Sequence, residues 1–101
     1  MSAYLIAHVD VTNPEGYEEY RAQVPAVIAA YGGRYLVRGG ACEVLEGDWT
    51  PKRLVLLEFP TMEQARAFYG SSEYAEALAL RHAAAESSVV LLDGLDRQPW
   101  E

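Results

Sequence analysis

Two short runs, residues 54–57 and 89–92, are apolar at every position, and they constrain the fold more than any other feature of the sequence. A strand with one wet face alternates apolar and polar residues, whereas a strand covered on both faces reads as a continuous apolar run. The sequence therefore predicts a sheet that is covered on both sides.

The first half of the chain carries clear signals for a strand followed by a helix. Residues 3–11 alternate as a strand does. Asn13 followed by Pro14 predicts a helix start, and the glycine pair at residues 32–33 predicts its end. Pro25 lies inside this helix and should bend or break it, because proline has no backbone N–H to donate.

The second half predicts three further strands and a divided helix. Further strands are predicted at residues 34–38, 53–59 and 88–93, with an additional strand segment at 42–45 before a turn-rich loop. Thr61 and Gln64 form a capping-box pattern, Gly70 ends that helix, and Ser71 or Ser72 caps the next one.

The element order is β-α-β-β-α-β, which predicts an α+β fold. Right-handed crossovers on this order give a ferredoxin-like antiparallel sheet with helices on one face. These helices leave the other apolar face bare, so we expect a homodimer that forms through this sheet face across a two-fold axis. The domain should span residues 1–95, followed by a C-terminal tail at 96–101.

Composition excludes several classes of partner. The 101 residues suffice for one domain, and the net charge of -7 disfavours binding to nucleic acid. No signal peptide or membrane-spanning run is evident, so we expect a cytoplasmic protein without a membrane partner. Two histidines and the lone Cys42, expected as a buried thiol, disfavour a metal site, and no motif calls for a cofactor.

A scattered set of residues gives the chain a family likeness from about residue 3 to residue 95. The set comprises Tyr17, Tyr20, Gly32-Gly33, Arg38-Gly39-Gly40, Glu46-Gly47, Glu58-Phe59-Pro60, Tyr69, Ser72, Tyr74 and Arg81. In order and spacing it resembles the domain-of-unknown-function family numbered 1330, although members often carry Trp where this chain has Phe68. The resemblance implies a dimeric α+β barrel and brings no catalytic residues with it.

Three side chains are candidates for catalysis. His8 lies near the end of a strand, and a histidine is the side chain best suited to moving a proton at neutral pH. Glu58 would also serve as a base if burial raised its pKa. Arg38 would clamp a carboxylate or an enolate. The alternatives are a structural hydrogen bond for His8, and for Arg38 an ion pair with Glu58 or Glu46.

A second group of residues is predicted to bind a ligand. It comprises Tyr17, Tyr35, Tyr69, Arg81 and Trp49. Tyrosines present flat faces with polar tips, and an arginine on an apolar helix face needs an anionic partner, either a ligand or a fixed carboxylate. The alternative for the tyrosines is ordinary core packing.

Two main functions remain open at this point, with haem binding as a third option. The first is a pocket for a small, partly aromatic or carboxylated metabolite, with cofactor-independent proton transfer or oxygenation if the protein is an enzyme. The second is a ligand-binding or stress-associated dimer without catalytic activity. The fold alone does not choose between them.

Overall fold

Four strands and three helices build the chain, and the computed structural model describes residues 2–95 of it. The elements are β1 (Ala3–Val11), α1 (Pro14–Ala30), β2 (Arg34–Arg38), β3 (Leu54–Phe59), α2 (Met62–Tyr69), α3 (Ser72–Ala84) and β4 (Ala85–Asp93). The sheet is antiparallel with strand order β2-β3-β1-β4. This is the predicted ferredoxin-like α+β fold, and the predicted tail lies outside the described residues.

Strand β1 lies at the centre of the sheet and separates its two faces. Ala3, Leu5, Ala7 and Val9 are buried beneath the helices, whereas the residues between them are only partly buried on the other face. The helix-side face meets aromatic residues of β3, α2 and α3 in one hydrophobic core. The alternation along β1 therefore determines which side chains face the helices.

Helix α1 begins and ends where the sequence predicts. The Asn13 side chain accepts a hydrogen bond from the Gly16 N–H at 3.3 Å. At the other end Gly32 has φ +80°, and its N–H and that of Gly33 bond to carbonyls in the last turn of the helix, a Schellman motif. Of the two effects predicted for Pro25, the break is wrong, because α1 is continuous through it with Val24 and Ile28 buried on either side, and the bend stays a prediction.

The additional strand predicted at residues 42–45 is not formed. Residues 41–50 are all exposed and contain no strand. Both edges of β3 are paired, with β1 and β2, and residues 42–45 pair with no strand among residues 2–95. Cys42 is consequently exposed, and the prediction of a buried thiol was wrong.

The face of the sheet opposite the helices is apolar at its centre, as the continuous runs indicate. Ile6 pairs with Leu56 of β3 and with Val90 of β4 on this face. Val90 is 52% exposed and the nearby Leu92 is 47% exposed. A single chain covers one face of its sheet only. Among residues 2–95, no helix has the length and apolar character needed to cross a membrane.

The packing of Gly33 against Phe59 gives a test of the fold. A Cβ at Gly33 would lie 2.5 Å from the Phe59 ring, whereas a Cβ at Gly40 would meet nothing within 4 Å. We expect Gly33→Ala to lower the free energy of unfolding by about 1–3 kcal/mol through overpacking. Gly40→Ala should lose no stability. Urea denaturation of both variants measures this, and equal stability would contradict the packing.

Candidate functional site

A cavity of about 30 Å³ lies between the helix-side face of the sheet and α1. Its walls include apolar residues of β1 and β3 together with two sets of polar side chains. The tyrosines of the lining are Tyr17, Tyr20, Tyr35 and Tyr74. The arginines of the lining are Arg21, Arg38, Arg53 and Arg81. We refer to this space as the arginine–tyrosine cavity.

A β-bulge in β2 places Tyr35 and Arg38 on the same wall of the cavity. Tyr35 pairs with Leu57 and Arg38 pairs with Val55, and the register shifts between Tyr35 and Val37. In a regular strand, side chains three residues apart point to opposite faces, and the extra residue of a bulge corrects this. The Arg38 guanidinium carbon consequently lies 4.6 Å from the centre of the Tyr35 ring.

The arginines of the cavity have few acidic partners. The structure of residues 2–95 contains two ion pairs, Arg21 with Glu18 at 2.8 Å and Arg34 with Glu58 at 2.6 Å. Among residues 2–95, no aspartate or glutamate lines the cavity. The Nε atoms of Arg21, Arg53 and Arg81 are buried without a hydrogen-bond partner. A bound anion would satisfy such donors, since charge-assisted bonds to guanidinium are among the strongest hydrogen bonds.

Arg81 is almost fully buried, with 3% of its surface exposed. It donates hydrogen bonds to the hydroxyls of Tyr74, at 3.0 Å, and Tyr69, at 3.3 Å. Burial lowers the pKa of Arg81, but Tyr74, Tyr20 and Tyr69 together raise it above its usual value, so Arg81 stays a cation. Burial also raises the pKa of Tyr74, which keeps its phenol neutral. The cation is therefore held by neutral hydroxyls in place of a carboxylate.

His8 and Trp49 meet each other on the opposite face of the sheet. His8 belongs to the half of β1 that points away from the helices. Its Nε2 accepts a hydrogen bond from the Lys52 backbone N–H at 3.0 Å, and its ring lies edge-on to Trp49 with centroids 5.4 Å apart. Trp49 is 60% exposed. Neither side chain lines the arginine–tyrosine cavity.

Glu58 also lies on the opposite face, where Arg34 is its cross-strand partner. The Arg34 Nε donates to the Glu58 carboxylate at 2.7 Å. This hydrogen bond lowers the pKa of Glu58, which makes the carboxylate a weaker base than a free glutamate. The alternative ion pairs of Arg38 with Glu58 or Glu46 are not formed in the described part of the chain.

The structure thus brings together half of the predicted site residues. The arginine–tyrosine cavity is lined by four of them: Tyr17, Tyr35, Arg38 and Arg81. Tyr69 accepts a hydrogen bond from Arg81. His8, Glu58 and Trp49 lie on the other side of the sheet.

Sequence reasoning did not assign two further residues of the lining, Arg21 and Arg53, to the site. Arg21 follows Tyr17 by four residues in a helix, a spacing that puts both on one face and was a usable signal. Arg53 precedes β3 and carried no such signal. Residues 2–95 contain no group of three or more His, Cys, Asp or Glu side chains placed to hold a metal ion.

Fold and cavity together define a small ferredoxin-like α+β protein with four arginines, one of them almost fully buried, around a cavity on the helix side of its sheet. The chain belongs to the family described as a domain of unknown function, DUF1330, whose model matches residues 2–95. This confirms the family resemblance. No curated protein sequence matches the chain significantly.

Several solved structures share the fold. A protein of unknown function from Rhodopseudomonas palustris is 20% identical with a TM-score of 0.77, over 95% of this chain and 84% of its own. A dimeric ferredoxin-like protein of unknown function from Jannaschia sp. CCS1 is 14% identical with a TM-score of 0.70, over 93% of this chain and 100% of its own. SnoaB, a cofactor-independent oxygenase from Streptomyces nogalater, is 13% identical with a TM-score of 0.65, over 97% of both chains.

The Arg34–Glu58 pair predicts a specific pH dependence. Because the folded-state pKa of Glu58 is lowered, the pair stabilises the fold above the pKa of a free glutamate, about 4.3. That stabilisation is lost as the pH falls through the lowered pKa. We expect Arg34→Gln to return the Glu58 pKa towards its usual range, as measured by carboxyl NMR titration. An unchanged Glu58 pKa in Arg34→Gln would contradict the assignment.

Proposed function

We propose that this protein is a homodimer in which each protomer binds a small, aromatic or carboxylated metabolite in the arginine–tyrosine cavity. The observation that carries the proposal is the lining itself, which has four arginines and no carboxylate. Guanidinium groups bind carboxylates through paired hydrogen bonds and also stack on flat rings. The cavity therefore offers chemistry suited to both features of the ligand.

The charge distribution supports this site. The chain has 8 lysines and arginines against 15 acidic residues, and four of those 8 cations line one small cavity. A net charge of -7 repels anions at long range, so an anion would gain its affinity from local contacts. Half of the basic residues are concentrated where such contacts are possible.

Tyrosine rings supply the aromatic part of the site. The Tyr17 and Tyr20 rings pack with centroids 5.4 Å apart, and the Arg53 guanidinium lies 5.6 Å from the centre of the Tyr17 ring. These rings form the aromatic wall beside the polar contacts, and a flat ligand body would gain stacking contacts on Tyr35, where the Arg38 guanidinium lies 4.6 Å from the ring centre.

The homodimer is supported by the bare face of the sheet. Apolar residues of β1, β3 and β4 meet on this face and leave Val90 and Leu92 about half exposed. Contiguous exposed apolar surface of this kind is typical of an interface. The protein of Jannaschia sp. CCS1 and a structural neighbour from Thermobifida fusca are both described as dimeric ferredoxin-like proteins.

A second candidate function is cofactor-independent oxygenation or proton transfer, which the similarity to the fold of SnoaB favours. Among residues 2–95, the ionisable side chains that line the cavity are arginines and tyrosines, with no histidine or carboxylate among them. A reaction there would draw on donors that stabilise a developing anion. It would not draw on His8 or Glu58 as a base, because both lie across the sheet.

Ligand binding is tested by a thermal-shift screen against small aromatic and carboxylated metabolites. We expect at least one compound to raise the melting temperature, and Arg38→Ala to weaken its binding by about tenfold or more through loss of a charge-assisted bond. His8→Ala is the matched control on the opposite face and should leave the affinity unchanged. A ligand that is insensitive to Arg38→Ala would contradict the site. Oxygen uptake with the same ligand separates an oxygenase from a binding protein.

The dimer is tested by light scattering at micromolar concentration. We expect the wild-type chain to be dimeric and Val90→Glu to be monomeric, because the substitution would bury an unpaired charge in the interface. Ala79→Glu, on the exposed surface of α3, is the control and should remain dimeric. A stable wild-type monomer at this concentration would overturn the dimer.

A further inference from the structure

We infer that the arginine–tyrosine cavity takes the ionised carboxylate head of its ligand, and that Tyr20 donates a hydrogen bond to that head under the influence of the buried Arg81. The inference rests on the proposed function and narrows its ligand class. The ligand is an organic acid whose head enters the cavity and whose body stays at the mouth.

The direction of the hydrogen bonds from Arg81 supports this role for Tyr20. A guanidinium has donors only, so the Tyr74 oxygen accepts the bond from Arg81 at 3.0 Å. The Tyr74 and Tyr20 hydroxyls lie 2.8 Å apart. Accepting from a cation polarises the Tyr74 hydroxyl and makes it the better donor of the two. Tyr74 then donates to Tyr20, and the Tyr20 proton remains available for another acceptor.

Two arginines, Arg53 and Arg21, line the other side of the arginine–tyrosine cavity. The Nε atoms of Arg53 and Arg21 are buried without a partner. Tyr17 links the two sides, with its ring centre 5.6 Å from the Arg53 guanidinium and 5.4 Å from the Tyr20 ring centre. The head of an organic acid would therefore meet guanidinium donors on one side and a hydroxyl donor on the other. A neutral amide of the same shape would gain far less from the guanidinium groups.

The size of the cavity limits what enters it. A volume of about 30 Å³ holds roughly two water molecules. This matches a carboxylate group and excludes a whole aromatic ring. Arg38 is exposed and stacks on Tyr35, so these two side chains lie where the cavity opens to solvent. The body of the ligand would rest against them.

Calorimetric titration with phenylacetate and with phenylacetamide tests the inference. The two probes share shape and ring and differ in charge. We expect the acid to bind the wild-type protein about tenfold or more tightly than the amide, and Tyr20→Phe to weaken binding of the acid by about tenfold. Tyr4→Phe is the control, since Tyr4 lies on the opposite face and should leave both affinities unchanged.

Tyr74 is a positioning residue, because it orients the hydroxyl of Tyr20 and does not contact the ligand itself. Its variant is therefore tested by the ratio of the affinities for the acid and the amide. Tyr74→Phe should reduce the preference for the acid over the amide while the affinity for the amide stays the same. A merely structural loss would weaken both probes equally. Far-UV circular dichroism and a melting curve establish that each variant is folded.

The outcomes separate this inference from the proposed function. Equal affinity for acid and amide, or an acid preference that Tyr20→Phe leaves intact, would overturn the inference while a metabolite bound in the cavity would still stand. The inference also falls if neither probe binds and the metabolite screen gives only uncharged ligands. If neither the probes nor any metabolite binds, the proposed function falls with it.

Discussion

The register of β1 between β3 and β4 is the constraint on which the rest of the structure depends. Leu5 lies between Leu57 and Leu91 on the helix side, whereas Ile6 lies between Leu56 and Val90 on the other side. A slip of one residue would exchange the two faces, because side chains alternate along a strand. This pairing separates the arginine–tyrosine cavity from the bare apolar face.

The separation of the two sheet faces also determines which charged side chains form ion pairs. On the open face Glu58 is neutralised by Arg34, and on the helix side the carboxylate-free lining leaves Arg53 and Arg81 without acidic partners. A buried cation without a counter-charge is costly unless hydrogen bonds support it, and Tyr69 and Tyr74 supply them to Arg81. The buried cation on the helix side is therefore supported by hydroxyl groups and not by a carboxylate.

Local signals in the sequence were sufficient for most of the fold. The cap at Asn13, the glycine pair after α1 and the alternation along β1 each depend on neighbouring residues, so their outcomes could be predicted without the tertiary structure. The helix break at Pro25 and the strand at residues 42–45 were mispredicted because both depend on tertiary packing, which local signals do not carry.

The site was less predictable because it depends on register. The arginine and tyrosine types were recognised as ligand-binding candidates, but the bulge that turns Arg38 towards Tyr35 leaves no signal in the sequence. His8 and Glu58 could be separated from the cavity only once strand pairing was known. The residue types therefore predicted the chemistry of the candidate site, whereas strand pairing determined where in the fold the site lies.

We propose above all that Arg21 and Arg53, on the helix side of the sheet, bind the anionic group of a ligand. Arginine-selective NMR of the Nε–H groups during a titration with phenylacetate tests it most directly. We predict saturable chemical-shift changes of the Nε–H signals of Arg21 and Arg53, and no change for Arg34 and Arg66. Shifts confined to Arg34 and Arg66, or no saturable shift at any arginine, would contradict it.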